Sequence, residues 1–423
     1  MNQALFDYIA ACPTAYQAVA HTEEILKGKG YLPLYENEEW ALEKGKGYYV
    51  TRNGSSLIAF RIPKEAKTGF MITASHCDSP SFKIKENAEI KEGGYVRLSV
   101  EKYGGMLCST WLDKPLSVAG RITVKSGHGI RLCNVDLQKT AVVIPNVAIH
   151  MNRNANENTS YNPAVDMLPL YGLEKSFRAE IAAAAGVKEE DILTSDLFLY
   201  NPQAGVEWGE YISSPRLDDL QCAFSALTAF LMAQKDGGMP VYCLFDNEEV
   251  GSQTKQGAAS TFLFDTLERI AENSGMGGTY RRLLADSFML SCDNAHAVHP
   301  NHPEYSDKNH TCRMNGGVVV KYNANQKYTT DALSAGVFAR ICEKAGVPTQ
   351  MYANRADMPG GSTLGNISNT QVSLNTADIG LAQLAMHSAF ETAGAKDTEY
   401  MVKALKAFYE TSVHIKGQEV VLQ

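Results

Sequence analysis

The sequence predicts an α/β fold: a mostly parallel central sheet covered by helices on both faces, with a β-rich segment inserted into it. Three observations carry this. Apolar runs such as FMITAS, VYCLF and SFMLSC are continuous rather than alternating, as strands buried on both faces require. They alternate with amphipathic helical patterns, the arrangement that builds a sheet between two helical layers. Between residues 85 and 212 the texture changes to short strands punctuated by glycine.

Taken in order, ALFDYIAA and TAYQAVAHTEEILKGKG predict two helices, the second stopped by glycines. GYYVTRNGSSLIAFRIP places two β-rich runs around Asn53-Gly54, a dipeptide suited to the positive φ angles of a tight hairpin turn. GFMITASH reads as a buried strand with a polar tip. YVRLSVEKYGG, LSVAGRITVKSGHGIRL and TAVVIPNVAIHM read as short strands, followed by a mixed stretch leading to LTSDLFLYN. Residues 85–212 are therefore expected to form the inserted domain, and 1–84 with 213–423 the α/β domain. Beyond it, DDLQCAFSALTAFLMAQ predicts a helix, VYCLFDNEE and SFMLSCDNA strands, TTDALSAGVFARICEKAG a helix and QVSLNTADIG a strand. There is no internal repeat and no low-complexity linker.

A chain of 423 residues, 44% hydrophobic and 20% charged, can bury a large core without a staple. Net charge is −8 with no lysine or arginine block, which argues against a nucleic-acid partner. The stretch MNQALFDYIAACPTAYQAV lacks a basic segment leading into a long apolar run, and no window approaches about 18 uninterrupted apolar residues. Neither a standard secretion signal nor a membrane span is expected. The nine cysteines never form a C-x-x-C pair and suit a reducing, cytoplasmic setting, with Cys243 read as a core residue.

Ligands of open α/β sheets gather at the carboxyl ends of strands, and four clusters of His, Asp and Glu follow apolar runs here. These are the ligand types of a hydrolytic zinc site. In ASHCDSP, Asp78 stands two residues after His76, a spacing that lets its carboxylate accept the second ring N–H of a metal-binding imidazole. In SSPRLDDL, Asp218 and Asp219 open a helix, where they serve either as caps or as carboxylates that bridge two cations. In FDNEEVGS, the adjacent Glu248 and Glu249 can point in different directions, one to a metal and one free as a general base. In LSCDNAHAVHPN, any of Asp293, His296 and His299 can ligate. His387, in Met386-His387-Ser388, is expected to begin the C-terminal helix pattern MHSAFETAG.

ASHCDSPSFKIK, WLDKPLSVAGR, IPNVAIHMNRN, SSPRLDDL, DNEEVGS, DNAHAVHPNHPEY, RADMPGGSTLG and LAMHSAFETAG together resemble, in order and over essentially the whole chain, the aspartyl aminopeptidase family of zinc metallopeptidases. The resemblance implies that His76, Asp218 and Asp293 hold one zinc and Glu249 and His387 the second, with Asp218 bridging. Glu248 is then the catalytic base, Asp78 the carboxylate that orients His76, and Asp293 the ligand of its block. The all-N/O donor set also accepts manganese or cobalt. Lys321 matches a family lysine positioned to meet the carboxylate of an N-terminal Asp or Glu in a small peptide substrate. Asp357 and Gly361 fall in the glycine-rich turn expected to line the substrate pocket. The insert resembles the family's dimerisation domain, which assembles dimers into tetrahedral dodecamers, and His150 resembles the histidine that reaches a neighbour's site. Leu364 replaces a frequent isoleucine, and Asp219 stands where asparagine is also common.

Two rivals remain open to test: a di-zinc deacylase or carboxypeptidase of related architecture, and a cage-forming relative without catalysis. Related deacylases keep the first histidine and the bridging aspartate close in sequence, whereas here the insert separates His76 from Asp218.

Overall fold

Strand residues alternate between two apolar layers. In Phe70–His76, the side chains of Phe70, Ile72 and Ala74 enter one cluster and Met71 enters the other. In Met239–Phe245, Val241, Cys243 and Phe245 share the first cluster while Tyr242 and Leu244 face the second. A strand whose faces are both covered has no polar side, which is why these runs are continuously apolar.

The computed structural model describes residues 1–65, 69–157, 159–275 and 279–423. Its largest sheet has nine strands, in spatial order Leu32–Leu34, Gly47–Arg52, Ser56–Arg61, Met239–Phe245, Phe70–His76, Phe288–Cys292, Asn375–Gly380, Val318–Tyr322 and Thr349–Ala353. The four strands from Met239–Phe245 to Asn375–Gly380 run parallel to one another, with antiparallel pairings on either flank. Helices Asn2–Ala11, Ala15–Gly28, Leu217–Met232, Ala332–Ala345 and Asp397–Tyr409 supply one apolar layer, and Phe262–Asn273 the other. Among them, Ala332–Ala345 has a complete capping box between Asp331 and Ser334 and ends on the left-handed Gly346. Fully buried Phe70, Phe230 and Phe338 anchor the layers, each contributing about 1.5–3 kcal/mol of burial.

The Asn53-Gly54 hairpin forms as expected, with φ values of 59° and 63° at the two residues, between antiparallel Gly47–Arg52 and Ser56–Arg61. A second sheet is wholly antiparallel, its six strands ordered Gly129–Asp136, Ser117–Ser126, Ile192–Tyr200, Ser81–Glu92, Tyr95–Tyr103 and Leu170–Gly172 around their own apolar cluster. TAVVIPNVAIHM is not a strand within it. Val142, Val143 and Ile144 make only isolated bridges to Leu116, Leu170 and Leu112, and the chain then runs exposed through Pro145.

A five-stranded sheet, ordered Val206–Trp208, Tyr211–Ser214, Glu391–Gly394, Ala382–Leu384 and Ala295–His296, closes the molecule beside the carboxyl ends of the parallel strands. Here the structure corrects the sequence reading of MHSAFETAG. His387 has φ 65° and Ala385 φ 57°, Glu391–Gly394 is a strand, and the helix begins only at Asp397. The backbone N–H of Leu107 donates to the carbonyl of His387 at 3.1 Å, a tertiary contact that local helical propensity does not anticipate.

Candidate metal centre

The parallel strands set the site. Phe70–His76 ends on His76, Met239–Phe245 runs out into the loop carrying Glu248 and Glu249, and Phe288–Cys292 delivers Asp293 one residue past its end. Asp218 stands at the entry of Leu217–Met232, where it and Asp219 have non-helical backbone angles and are joined by a cis peptide bond. His387 arrives from the left-handed turn before Glu391–Gly394.

These residues converge. Asp218 Oδ1 lies 3.6 Å from His76 Nε2, and Asp218 Oδ2 lies 3.3 Å from His387 Nε2. Glu249 Oε2 is also 3.3 Å from His387 Nε2, and Glu248 Oε2 is 4.0 Å from His76 Nε2. Two trios, His76–Asp218–Asp293 and Asp218–Glu249–His387, each place one ligand atom per residue within 4.8 Å of the others, and they share Asp218. A third such grouping joins His76, Glu248 and Glu249.

The electrostatics call for cations. Burial raises the Glu248 carboxyl, which His76 partly offsets and Asp293, Asp78 and Asp218 push further, to about 8. Burial also raises Glu249 and Asp293. Burial works in the same direction on Asp218, but its contacts with His387 and His76 outweigh it and hold the carboxyl low. Asp218 Oδ1 and Glu249 Oε1 are buried without a hydrogen-bond partner, an arrangement that costs energy unless a cation satisfies them. Oxygen and nitrogen donors of this kind fit zinc.

Carboxylates behind these groups hold the backbone. Asp78 Oδ1 and Oδ2 accept the backbone N–H groups of Glu248 and Glu249, both at 3.1 Å, and Asp219 Oδ2 accepts that of His76 at 3.1 Å. The expected ring contact of His76 differs in detail: Nδ1 is 3.0 Å from the backbone carbonyl of Asp78 and 3.4 Å from its carboxylate Oδ1. Glu391, absent from the sequence reading, accepts the backbone N–H groups of Asp218 at 3.0 Å and His387 at 2.8 Å. No local motif marks it, because its partners are brought together only by the fold.

A pocket of about 200 Å³ opens onto the cluster, lined by Lys321, Tyr328, Tyr352, His296, Gly361 and Met386 among others. Lys321 is buried, donates to the carbonyl of Asn294 at 2.7 Å and lies 3.6 Å from Asp293 Oδ2. His299 lies outside this lining, its ring 5.3 Å from that of His302. Asp357 also lies outside the lining; it is exposed and paired with Arg355 at 2.6 Å. His150 is exposed in a turn and does not border the pocket.

A parallel-centred α/β sheet presenting clustered His, Asp and Glu at its carboxyl edge defines a metallohydrolase. The Aminopeptidase I zinc metalloprotease (M18) family matches residues 8–409. A probable M18 family aminopeptidase 2 of Clostridium novyi (strain NT) is 43% identical over 422 residues, spanning 96% of this chain and 97% of its own. Among solved structures, the cryo-EM structure of the Ape4 and Nbr1 complex matches with a TM-score of 0.92 at 34% identity, covering 96% of this chain and 85% of that one. The S. cerevisiae mApe1 dodecamer matches at 0.84 and 28%, with 96% of each chain covered. The chain therefore belongs to the M18 family of zinc aminopeptidases.

Proposed function

We propose that this aminopeptidase removes the N-terminal residue of small peptides, preferring Asp or Glu, at a site that holds two zinc ions. The observation that carries the two-metal reading is Asp218, whose two carboxylate oxygens face different histidines at 3.6 and 3.3 Å. His76, Asp218 and Asp293 would hold one ion, and Asp218, Glu249 and His387 the other. Bound there, such a pair polarises the scissile carbonyl and makes water nucleophilic near neutral pH.

Glu248 is assigned the proton work. Its carboxylate borders the pocket, and its backbone is pinned by Asp78. It takes a proton from the attacking water and delivers it to the departing amine. Asp78 keeps Glu248, Glu249 and His76 in register rather than touching substrate.

Lys321 supports the acidic preference: it is the one lysine or arginine among the residues lining the pocket, and it is held rigidly by Asn294. The buried ammonium suits a substrate carboxylate and penalises a neutral side chain less than a basic one. Gly361 supplies the pocket wall beside Ser362 and Thr363.

His150 is flanked by the exposed apolar side chains of Val147, Ile149 and Met151. That patch supports self-association through the six-stranded sheet region, with His150 reaching a neighbour's site, and the mApe1 match supports a dodecamer. Nine free cysteines suit a cytoplasmic setting. Among the described residues no helix is long and apolar enough to cross a membrane.

A panel of free-amine dipeptides and their N-acetylated counterparts, offered to zinc-loaded protein, tests this. Release of Asp or Glu only from free-amine peptides is expected. Release of neutral residues would discard the acidic preference, and cleavage of acetylated substrates would point to a deacylase. No release at all would indicate a non-catalytic cage.

A further inference from the structure

Glu391 is 2% exposed, and among the described residues no lysine, arginine or histidine side chain forms an ion pair with it. What it has instead are two backbone donors: Asp218 N–H to Oε2 at 3.0 Å and His387 N–H to Oε1 at 2.8 Å. Those donors belong to segments that share no strand or helix, one entering Leu217–Met232 and the other preceding Glu391–Gly394. Both are in irregular backbone. Asp218 has φ −83° and ψ 111° inside a nominal helix, and His387 has φ 65°, a left-handed conformation uncommon outside glycine.

We infer that Glu391 is a positioning residue for the zinc site formed by Asp218, Glu249 and His387, acting through the backbone of two of its three ligands. The inference rests on the two-zinc reading above. Asp78 does the equivalent for Glu248 and Glu249, accepting both their N–H groups at 3.1 Å. Each clamp uses both oxygens of one buried carboxylate, so each spans two residues at once. The His76–Asp218–Asp293 site depends on Glu391 through Asp218 alone, whereas the other site depends on it through Asp218 and His387. Losing the clamp should therefore weaken the two sites unequally.

Glu391→Gln is the discriminating change. Its amide keeps one accepting oxygen but turns an NH₂ group toward the second backbone N–H, so one half of the clamp is lost with little change in volume. Chelator-stripped wild-type and variant proteins are titrated with zinc by calorimetry, and the unfolding of both stripped proteins is followed by circular dichroism. The expected result is a 10–100-fold weaker affinity at one of the two sites, a smaller change at the other, and closely matched unfolding of the stripped proteins. Glu391→Asp, which keeps the carboxylate but shortens it, is the second variant should Glu391→Gln not fold, and the same unequal loss is expected. Two sites of wild-type affinity, or equal weakening of both, would overturn the inference while leaving two-zinc binding intact. Uptake of fewer than two zinc ions by the wild type would remove the two-zinc reading and this inference with it.

Discussion

Tyr103 donates its phenolic hydroxyl to Asp78 Oδ2 at 2.7 Å, joining the last residue of a strand in the six-stranded sheet to the carboxylate that grips the Glu248–Glu249 backbone. Asn247 Nδ2 completes the link by donating to the tyrosine oxygen at 2.8 Å. Burial, followed by the charges of Asp78 and Asp246, raises the phenol far above its ordinary range, so it stays a donor at any working pH. Tyr103→Phe should cost about 1 kcal/mol of stability. It should also lower kcat about tenfold with little effect on KM, because a loosened Asp78 misplaces the groups acting in the transition state. Thermal unfolding and steady-state kinetics check the two effects separately.

Glu248→Gln should retain the proposed metals yet lower kcat by about 10²–10⁴, since the base is lost while the five ligating side chains, His76, Asp218, Glu249, Asp293 and His387, are untouched. Zinc content measured alongside turnover checks it. Near-wild-type turnover would remove Glu248 from the role of base.

Without metal, Asp218, Glu249, Asp293 and Glu248 cluster with two buried carboxylate oxygens unsatisfied. Treatment with a chelator should lower the unfolding temperature and abolish activity, and restored zinc should recover both. At free zinc 1,000-fold above the dissociation constant, each site contributes roughly 4 kcal/mol. Scanning calorimetry with and without chelator reads it directly.

The pH dependence of stability has a contributor that takes no part in the proposed metal site. Burial alone raises the Asp196 carboxyl, but hydrogen bonds and charge from Lys83 and Arg121 outweigh this and hold it below its ordinary value of 3.8. The contacts are 2.9 and 3.1 Å, with about a third of each of the Asp196 and Lys83 side chains exposed. A lowered folded-state value means that the stabilisation is present above the unfolded-state value and is lost as pH falls through the folded one. Asp196→Asn should cost about 0.5–1 kcal/mol near neutral pH after allowing for solvent screening. In denaturant titrations, variant and wild type should converge on acidification through that window.

Lys321→Gln should lower kcat/KM for an N-terminal Asp relative to Leu by at least about tenfold, equivalent to 1.4 kcal/mol. The ratio matters because Lys321 also lies 3.6 Å from Asp293, so a general loss of activity is expected and cancels between substrates. An unchanged ratio would remove Lys321 from specificity.

What was legible in the sequence was what local chemistry determines. Asn53-Gly54 specifies its own turn, and His76 and Asp293 are marked by apolar strands that must end where polar residues begin. The hidden parts are those set by distant partners. His387 sits in a run of helix-tolerant residues, yet Leu107 and Glu391 hold it in a left-handed turn. Val142–Ile144 has strand composition, but its neighbours offer only isolated bridges. Glu391 looks like any glutamate until the fold brings Asp218 and His387 to its two oxygens.

The order of these groups along the chain bears on how the protein is made. His76, Asp218, Glu249 and Asp293 are all synthesised before His387 and Glu391, which come late in the sequence and belong to a sheet whose strands are drawn from residues 206 to 394. If the proposed ligand set holds, a growing chain thus carries most of the metal-binding groups while lacking the His387 turn and the Glu391 carboxylate. On the proposed ligand set, hydrolytic competence waits for the segment around residues 387–391, so a chain made only as far as Asp293 could not yet act on the peptides around it.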